Sequence, residues 1–289
     1  MCAGSAASFG AMAIFGKLAF EAGIGVVTLL LVRFVLAGTI LGVASRLRRG
    51  AARLPRGRTL AIALALGAVG YTAQAALYFA ALTRIDAGLA AIVLYLYPAM
   101  VTLGAVLLGR DRLDRVRVAA IVLAFGGLVL VVLASGTGAL DPLGAALAFG
   151  AALAYTGYIL TSEAVLSETD ALSLSALVCA GAAGSMIVAG VVSGALDFTF
   201  DPIGWLWLAA IAVVSTVVAI VLFFAGLRRV GPSRASIIST VEPLVTVGLA
   251  FVVFGERLSA TQLLGGALVL AAVVVLQTFG TAPKAAPPT

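Results

Sequence analysis

Ten stretches of about 20 mostly apolar residues follow one another along this chain, and they constrain its fold more than any other feature. A helix needs about 20 apolar residues to cross the hydrocarbon core of a bilayer. In lipid only helices and closed barrels satisfy all their backbone hydrogen bonds, and barrel strands are about half this length. The sequence therefore predicts an all-α integral membrane protein with ten transmembrane helices. The predicted spans cover residues 3–20, 25–45, 59–82, 88–108, 117–135, 143–162, 171–193, 205–227, 235–254 and 261–280.

The composition argues against most catalytic classes. The 289 residues are 63% hydrophobic and 10% charged, and they include no His; soluble domains are about 25% charged. Cys2 and Cys179 are far apart and have no metal-ligand spacing. No phosphate-binding glycine motif is present. We therefore expect no cofactor, no metal and no enzymatic activity. An intramembrane enzyme would need paired acids or a His-rich motif, and a channel would need charged rings or a selectivity filter.

The basic residues are distributed unevenly between the two sides of the predicted bundle. With the N-terminus inside, the inner loops and tail hold 14 of the 18 Arg and Lys residues, and the outer loops hold only Arg84 and Arg257. Lys17 and Arg33 lie within spans. Because Lys and Arg are enriched in cytoplasmic loops, both termini are predicted to be cytoplasmic. This distribution also explains the net charge of +6 without a nucleic-acid partner.

The two halves of the chain resemble each other at an offset of 145 residues. This offset aligns the motif YFAALTR at 78–84 with FFAGLRR at 223–229, and it aligns Pro98 with Pro243. It also aligns DRL at 111–113 with ERL at 256–258, and upstream an offset of 140 aligns the FGA motifs at 9–11 and 149–151.

Each half therefore holds five predicted spans. An odd number of spans forces the second half to insert upside down, which predicts two inverted repeats around a central cavity, a recurring plan of secondary transporters. The predicted boundaries are 1–138 for the first repeat, 139–280 for the second and 281–289 for a cytoplasmic tail.

Several of these motifs also carry a family resemblance. The Glu-Pro pair at 242–243, Gly-Glu-Arg-Leu at 255–258, Leu-Val-Arg-Phe at 31–34 and the doubled five-span plan resemble the EamA family of the drug/metabolite transporter superfamily. Within this superfamily, the chain is similar to bacterial amino-acid and metabolite exporters. The resemblance implies a central cavity lined mainly by spans 1, 3, 4, 6, 8 and 9. The first half departs from the pattern, because Tyr97 precedes its proline where Glu242 precedes Pro243.

Polar residues recur at helical spacing on several predicted spans. Residues at i, i+3 and i+7 share a helix face, so these stripes predict one wet, aromatic-walled cavity. The same residues also fit hydroxyls bonded to their own helix backbone, or tyrosines of the interfacial belt. The predicted cavity residues are Tyr71, Gln74, Tyr78, Tyr95, Tyr155, Tyr158, Ser239, Thr240 and Glu242.

The Glu242–Pro243 pair combines two groups that are costly in hydrocarbon. A buried carboxylate needs partners, and Pro243 leaves the carbonyl of Ser239 without its helical donor. Pro98 and Pro243 are predicted to act as hinges, with static kinks as the alternative. Arg33 is a candidate intramembrane charge partner for Glu242. Lys17 is predicted to extend to the outer surface.

Together these features favour a multi-pass transporter of the bacterial inner (plasma) membrane that exports small amino-acid-like metabolites by alternating access. Transport is either secondary-active or facilitative, since Glu242 alone does not decide between proton antiport and facilitated export. The alternative substrates on this fold are drug-like, sugar-linked or nucleotide-linked metabolites. The expected partners are a small-molecule substrate and the lipid bilayer, and we expect a functional monomer.

Overall fold

The computed structural model describes residues 1–49, 55–134, 141–166 and 170–279. Within these ranges the chain is all-helical and has ten helical stretches long and apolar enough to cross a membrane, which confirms the predicted fold class. The predicted tail at 281–289 lies outside the described residues. The ten spans are Cys2–Glu21, Val26–Arg48, Arg58–Leu82, Ala87–Leu107, Arg115–Ala134, Pro142–Ser162, Ala171–Ser193, Gly204–Val230, Arg234–Phe254 and Ala260–Phe279.

Spans 3 and 8 each contain one turn of π-helix. Span 3 runs through Arg58–Ala65, the π-helical Leu66–Tyr71 and Thr72–Leu82. The Thr72 hydroxyl donates to the carbonyl of Gly67, five residues earlier, at 2.8 Å. A π-turn widens the helix by one residue per turn, and a hydroxyl that reaches the i−5 carbonyl supplies an additional hydrogen bond there.

Span 8 repeats this arrangement. It runs through Gly204–Ala212, the π-helical Val213–Val218 and Ala219–Val230. The Thr216 hydroxyl donates to the carbonyl of Ile211, again five residues earlier, at 2.9 Å.

Spans 4 and 9 are each broken into two helices just before a proline. Span 4 consists of Ala87–Leu94 and Tyr97–Leu107, and span 9 consists of Pro232–Ser239 and Val241–Phe254. Pro98 and Pro243 lie in the first turn of the second helix, where a proline is tolerated because its missing N–H needs no helical acceptor there.

The remaining helices run without interruption: Cys2–Glu21, Val26–Arg49, Arg115–Ala134, Pro142–Leu166, Ala171–Ser193 and Ala260–Phe279. Spans 5 and 10 pack backbone to backbone. A Cβ at Gly127 would lie 2.6 Å from the Gly265 carbonyl oxygen, and a Cβ at Gly265 would lie 2.5 Å from the Gly127 carbonyl oxygen. The neighbouring Gly126 has no other atoms within 4 Å of a Cβ position, so only the second glycine of that pair makes the close contact.

The connections between spans gather at two opposite faces of the bundle. On the predicted outer face, Arg84 pairs with Asp141 at 2.9 Å, and the Asp201 amide donates to the Ala22 carbonyl at 3.1 Å. On the predicted inner face, the hydroxyls of Ser45 and Ser173 lie 2.9 Å apart. The perimeter between the two faces exposes large apolar side chains, including Leu133 (72%), Val192 (82%) and Val252 (76%), as a lipid-facing surface requires.

Candidate functional site

Two adjoining cavities lie inside the bundle. The central cavity, of about 90 Å³, extends to Phe79 and Ala91 in the half nearer the predicted outer face. The inner cavity, of about 260 Å³, lies nearer the predicted inner face and reaches Ser175 on span 7 and Phe224 on span 8. Together they fall at the small end of the range of about 300–1,000 Å³ that is typical of small-molecule sites. The wall residues shared by both cavities are Phe9, Tyr71, Tyr95, Tyr155 and Glu242.

All six tyrosines of the chain line these cavities. Five of them form a continuous series of ring contacts. The ring centroids of Tyr95 and Tyr97 are 5.7 Å apart, those of Tyr97 and Tyr155 are 4.6 Å apart, and Tyr155 stacks on Tyr158 at 6.0 Å. Tyr158 then contacts Tyr71 at 5.8 Å. Such a wall offers apolar ring faces together with hydroxyl groups, which suits an amphipathic ligand.

Arg33 enters the central cavity from span 2 and is only 2% exposed. Its Nη2 donates to the Tyr71 hydroxyl at 2.9 Å, and its Nε donates to the Thr216 hydroxyl at 3.1 Å. Its guanidinium carbon also lies 5.3 Å from the ring centroid of Phe34 and 5.6 Å from that of Phe79. Ring faces and hydroxyls can hold a cation in a low-dielectric site without neutralising it.

Glu242 lies at the boundary of the two cavities, beside the break in span 9. The Tyr95 hydroxyl lies 2.8 Å from the carbonyl oxygen of Ser239, to which it donates, and 3.2 Å from Oε2 of Glu242. The Ser239 carbonyl is the acceptor that Pro243 cannot serve. A side chain at the break in span 4 therefore supplies the hydrogen bond that is missing at the break in span 9.

The structure brings most of the predicted cavity residues together. Arg33, Pro243 and all the predicted wall residues except one lie in the walls of these cavities. The exception is Thr240, whose hydroxyl donates to the carbonyl of its own helix neighbour Ile237 at 2.6 Å. Pro98 lies outside both walls and its carbonyl accepts from Thr102 at 2.9 Å. Whether the wall residues bind substrate, and whether the prolines act as hinges, stay predictions.

The structure shows the contacts of three charged residues that the sequence places within spans. Arg33 and Glu242 line the same cavity, but in the described part of the chain neither has an opposite charge within 4.0 Å, so they are not directly paired. Lys17 extends to the predicted outer face, where it pairs with Glu256 of the connection between spans 9 and 10.

Sequence reasoning missed part of the wall. Tyr97 carried a usable signal, since it occupies the position that Glu242 has in the second repeat. The other wall residues that were not predicted are mostly apolar, and the sequence does not distinguish them from lipid-facing residues. They include Phe9, Met12, Val178, Cys179, Phe223, Phe224 and Thr246. Within the described ranges no cluster of His, Cys, Asp or Glu could hold a metal ion.

A ten-span helical bundle with a polar, aromatic cavity between its two halves defines the architecture of a membrane transporter. The comparison with protein families agrees: the model of the EamA-like transporter family matches residues 1–133 and 142–278. The chain belongs to this family. It is a multi-pass membrane protein of the EamA transporter type.

Similar proteins carry the same general description. An uncharacterized transporter of Archaeoglobus fulgidus is 44% identical over 71 residues, which are 25% of this chain and 26% of that protein. The uncharacterized transporter YcbK of Bacillus subtilis is 34% identical over 117 residues, 38% of this chain and 37% of the relative. The matched regions thus span well under two thirds of these two relatives.

Longer matches are more distant in sequence. The uncharacterized transporter YyaM of Bacillus subtilis is 23% identical over 260 residues, covering 87% of this chain and 84% of the relative. One solved crystal structure superimposes with a TM-score of 0.64 at 20% identity, covering 94% of this chain and 95% of the other. That structure supports the fold alone.

Proposed function

We propose that this transporter exports small amino-acid-like metabolites across the bacterial inner membrane by alternating access, in a secondary-active or facilitative mode. The observation that carries the proposal is a guanidinium and a carboxyl group that face one aromatic cavity and do not pair with each other. Arg33 supplies a cation and Glu242 a hydrogen-bond acceptor, and they line the central cavity without pairing with each other. An α-amino acid carries the complementary carboxylate and ammonium groups on one carbon.

The wall chemistry favours this substrate class over the alternatives. Arg33 is the one cation in the described walls of the two cavities. A single guanidinium matches one carboxylate, to which it can donate a bidentate pair of hydrogen bonds. A nucleotide-linked sugar carries a diphosphate and would need more positive charge than this cavity offers. Gln74 adds an amide, and the tyrosines accommodate an apolar side chain.

The position of the cavities is compatible with export. The inner cavity extends toward the face that the charge distribution predicts to be cytoplasmic. A substrate can therefore load from the cytoplasm, as export requires. The recurrence of the π-turns and helix breaks in the two halves supports the inverted-repeat architecture, in which one half rocks against the other around a fixed site.

Counterflow in proteoliposomes tests the proposal most directly. A panel of radiolabelled amino acids is offered, and each is competed with the matching amine, which lacks the carboxylate, and with the matching carboxylic acid, which lacks the amine. We expect exchange of at least one amino acid, and much weaker competition by either fragment. Arg33→Gln is expected to remove discrimination against the amine, and the exposed Arg257→Gln is the matched control. Exchange of nucleotide-linked sugars without exchange of any amino acid would contradict the proposal.

Gln74 provides a second test of the cavity. Its side chain lines the central cavity and has no hydrogen bond to another residue in the described part of the chain. We expect Gln74→Leu to raise the KM of the transported amino acid about tenfold, because a hydrogen bond to a charged group contributes about 1.5–3 kcal/mol. Expression should be unchanged. An unaltered KM would remove Gln74 from the site.

A further inference from the structure

Three elements meet around the carboxylate of Glu256 at the predicted outer face. Lys17 of span 1 lies 2.5 Å from Oε1, with side-chain exposures of 20% for Lys17 and 9% for Glu256. The backbone amide of Gly88, in the first turn of span 4, donates to Oε2 at 3.3 Å. The Lys17 ammonium also lies 5.7 Å from the ring centroid of Phe254, at the end of span 9. One carboxylate therefore ties span 1 and span 4 to the connection between spans 9 and 10.

The packing beneath this pair closes the path from the central cavity to the predicted outer face. Phe79 lines the cavity and is fully buried. Its ring fills the space beside Gly16, where a Cβ would lie 2.7 Å from the Phe79 ring, and it contacts Phe20 edge-on at 6.3 Å. Leu82, one turn further out on span 3, is 2% exposed. This end of the pathway is filled by side chains.

The opposite end of the pathway is more open. Phe224 lines the inner cavity and also a cleft of about 500 Å³ at the predicted inner face. That cleft lies between spans 2, 7 and 8 and is lined by Arg48, Leu172 and Arg228 among others. The cavities thus extend toward one face and are sealed from the other.

The repeat relation shows that the Lys17–Glu256 ion pair itself is not repeated at the inner end. The 145-residue offset aligns Glu256 with Asp111, and the 140-residue offset aligns Lys17 with Gly157. Gly157 has no side chain to offer, and Asp111 pairs instead with Arg117 of its own hairpin at 2.9 Å. Within the described residues, the positions aligned with Lys17 and Glu256 therefore form no ion pair with each other, and the corresponding inner connection is tied to span 6 by Arg110, which donates to the Leu160 carbonyl at 2.7 Å.

We propose that the Lys17–Glu256 pair, with the Gly88 amide, is the outer gate of the transport pathway, and that it must separate each time the cavity opens outward. The inference rests on the proposed alternating access. Lys17 and Glu256 are positioning residues that act through the packing of spans 1, 3 and 4 and do not touch the substrate. Their contacts hold the closed outer end, so weakening them raises the fraction of molecules that open outward.

Cysteine labelling on intact cells tests this gate without any substrate. Leu82→Cys reports on the outer pathway, in a chain whose own cysteines are replaced by Cys2→Ser and Cys179→Ser. A membrane-impermeant maleimide is added outside, and labelling is normalised to the amount of protein. We expect Lys17→Gln and Glu256→Gln each to raise the labelling rate about tenfold. This corresponds to a tenfold shift of the equilibrium between the closed and the outward-open states. Asp141→Asn, which breaks the more exposed Arg84–Asp141 pair on the same face, is the matched control and should leave the rate unchanged.

A reversed pair separates gating from general loss of structure. Lys17→Glu combined with Glu256→Lys restores the attraction with the charges exchanged, although it leaves the Gly88 amide without its acceptor, so it is expected to bring the labelling rate back below that of either single variant. Single variants that label no faster than the Asp141→Asn control overturn the proposal, as does a reversed pair that labels as fast as the single variants. Because no substrate is used, a failure here is distinct from a failure of the proposed amino-acid transport, which only counterflow measures.

Discussion

At the scale of single residues, the break in span 9 depends on a hydroxyl from the other half of the chain. Pro243 deprives the Ser239 carbonyl of its helical donor, and Tyr95 supplies the replacement at 2.8 Å. The same hydroxyl oxygen lies 3.2 Å from Glu242. A tyrosine hydroxyl has one proton to donate, so the carbonyl and an ionised carboxylate compete for it. The two breaks are thus joined by one hydrogen-bond network.

We expect Tyr95→Phe to lower transport and to destabilise the protein by about 1–3 kcal/mol, the range for leaving a buried acceptor unsatisfied. Tyr97→Phe is the matched control, because in the described structure its hydroxyl has no hydrogen-bond partner. Pro243→Ala restores an N–H that can serve Ser239, so Tyr95→Phe should cost less in that background. A double-mutant cycle on unfolding measures this coupling; equal costs in both backgrounds would show that the Tyr95–Ser239 bond does not compensate for the proline.

Glu242 is predicted to brace this network rather than to carry a proton. Glu242→Gln keeps an acceptor for the cavity and should retain substantial transport, whereas Glu242→Leu leaves the site without polar partners and should not. Transport by both variants is measured with and without an imposed pH gradient. A Gln variant that loses only the pH-driven component would contradict the bracing role and assign proton coupling to this residue instead.

At the scale of elements, Arg33 joins the π-helical turns of both halves. It donates to Tyr71, the last residue of the π-turn in span 3, and to Thr216 within the π-turn in span 8. The two turns lie at nearly the same offset as the helix breaks, and Tyr71 and Tyr95 from these irregular segments line both cavities. Local widening of a helix exposes backbone and redirects side chains, which is why such turns are frequent at functional sites.

Thr216→Val is expected to destabilise the protein more than Thr72→Val. Both variants remove a hydroxyl that bonds an i−5 carbonyl, a loss of about 0.6 kcal/mol for an average bond between membrane helices. Thr216→Val also removes the acceptor of the Arg33 Nε, and a hydrogen bond of a charged group adds about 1.5–3 kcal/mol. Unfolding of the purified protein in detergent and SDS mixtures measures both variants. Equal destabilisation would mean that the Arg33 contact contributes nothing.

The sequence predicts the elements well and the wall of the cavity only in part, for physical reasons. A span is identified by the summed hydropathy of about 20 residues, so errors at single positions cancel. A wall residue depends on its angle about the helix axis, and each π-turn or break shifts that angle for all later residues. Ser239 and Thr240 are adjacent across such a break, and only Ser239 faces the inner cavity. Apolar wall residues such as Phe9 have no sequence signature that separates them from lipid-facing ones.

At the scale of the whole molecule, the orientation in the membrane determines which compartment the cavities open toward. The grouping of the connections at two faces is a property of the fold, but the assignment of those faces to cytoplasm and exterior rests on the 14-to-2 distribution of basic residues. If the faces were exchanged, the cavities would extend outward and the Lys17–Glu256 pair would close the cytoplasmic end. The compartment toward which the cavities open and the identity of the gate therefore both depend on the orientation of the protein in the membrane, which can be measured.

Two exposed positions on opposite faces give that measurement. Leu47 lies between Arg46 and Arg48 and is 81% exposed, and Phe198 lies in the connection between spans 7 and 8 and is 51% exposed. In a chain without its native cysteines, Phe198→Cys should react with a membrane-impermeant maleimide on intact cells. Leu47→Cys should react only after the membrane is permeabilised, because moving its arginine-rich neighbourhood across the bilayer is strongly disfavoured. The opposite pattern would place both termini outside, and the cavities would then open toward the exterior.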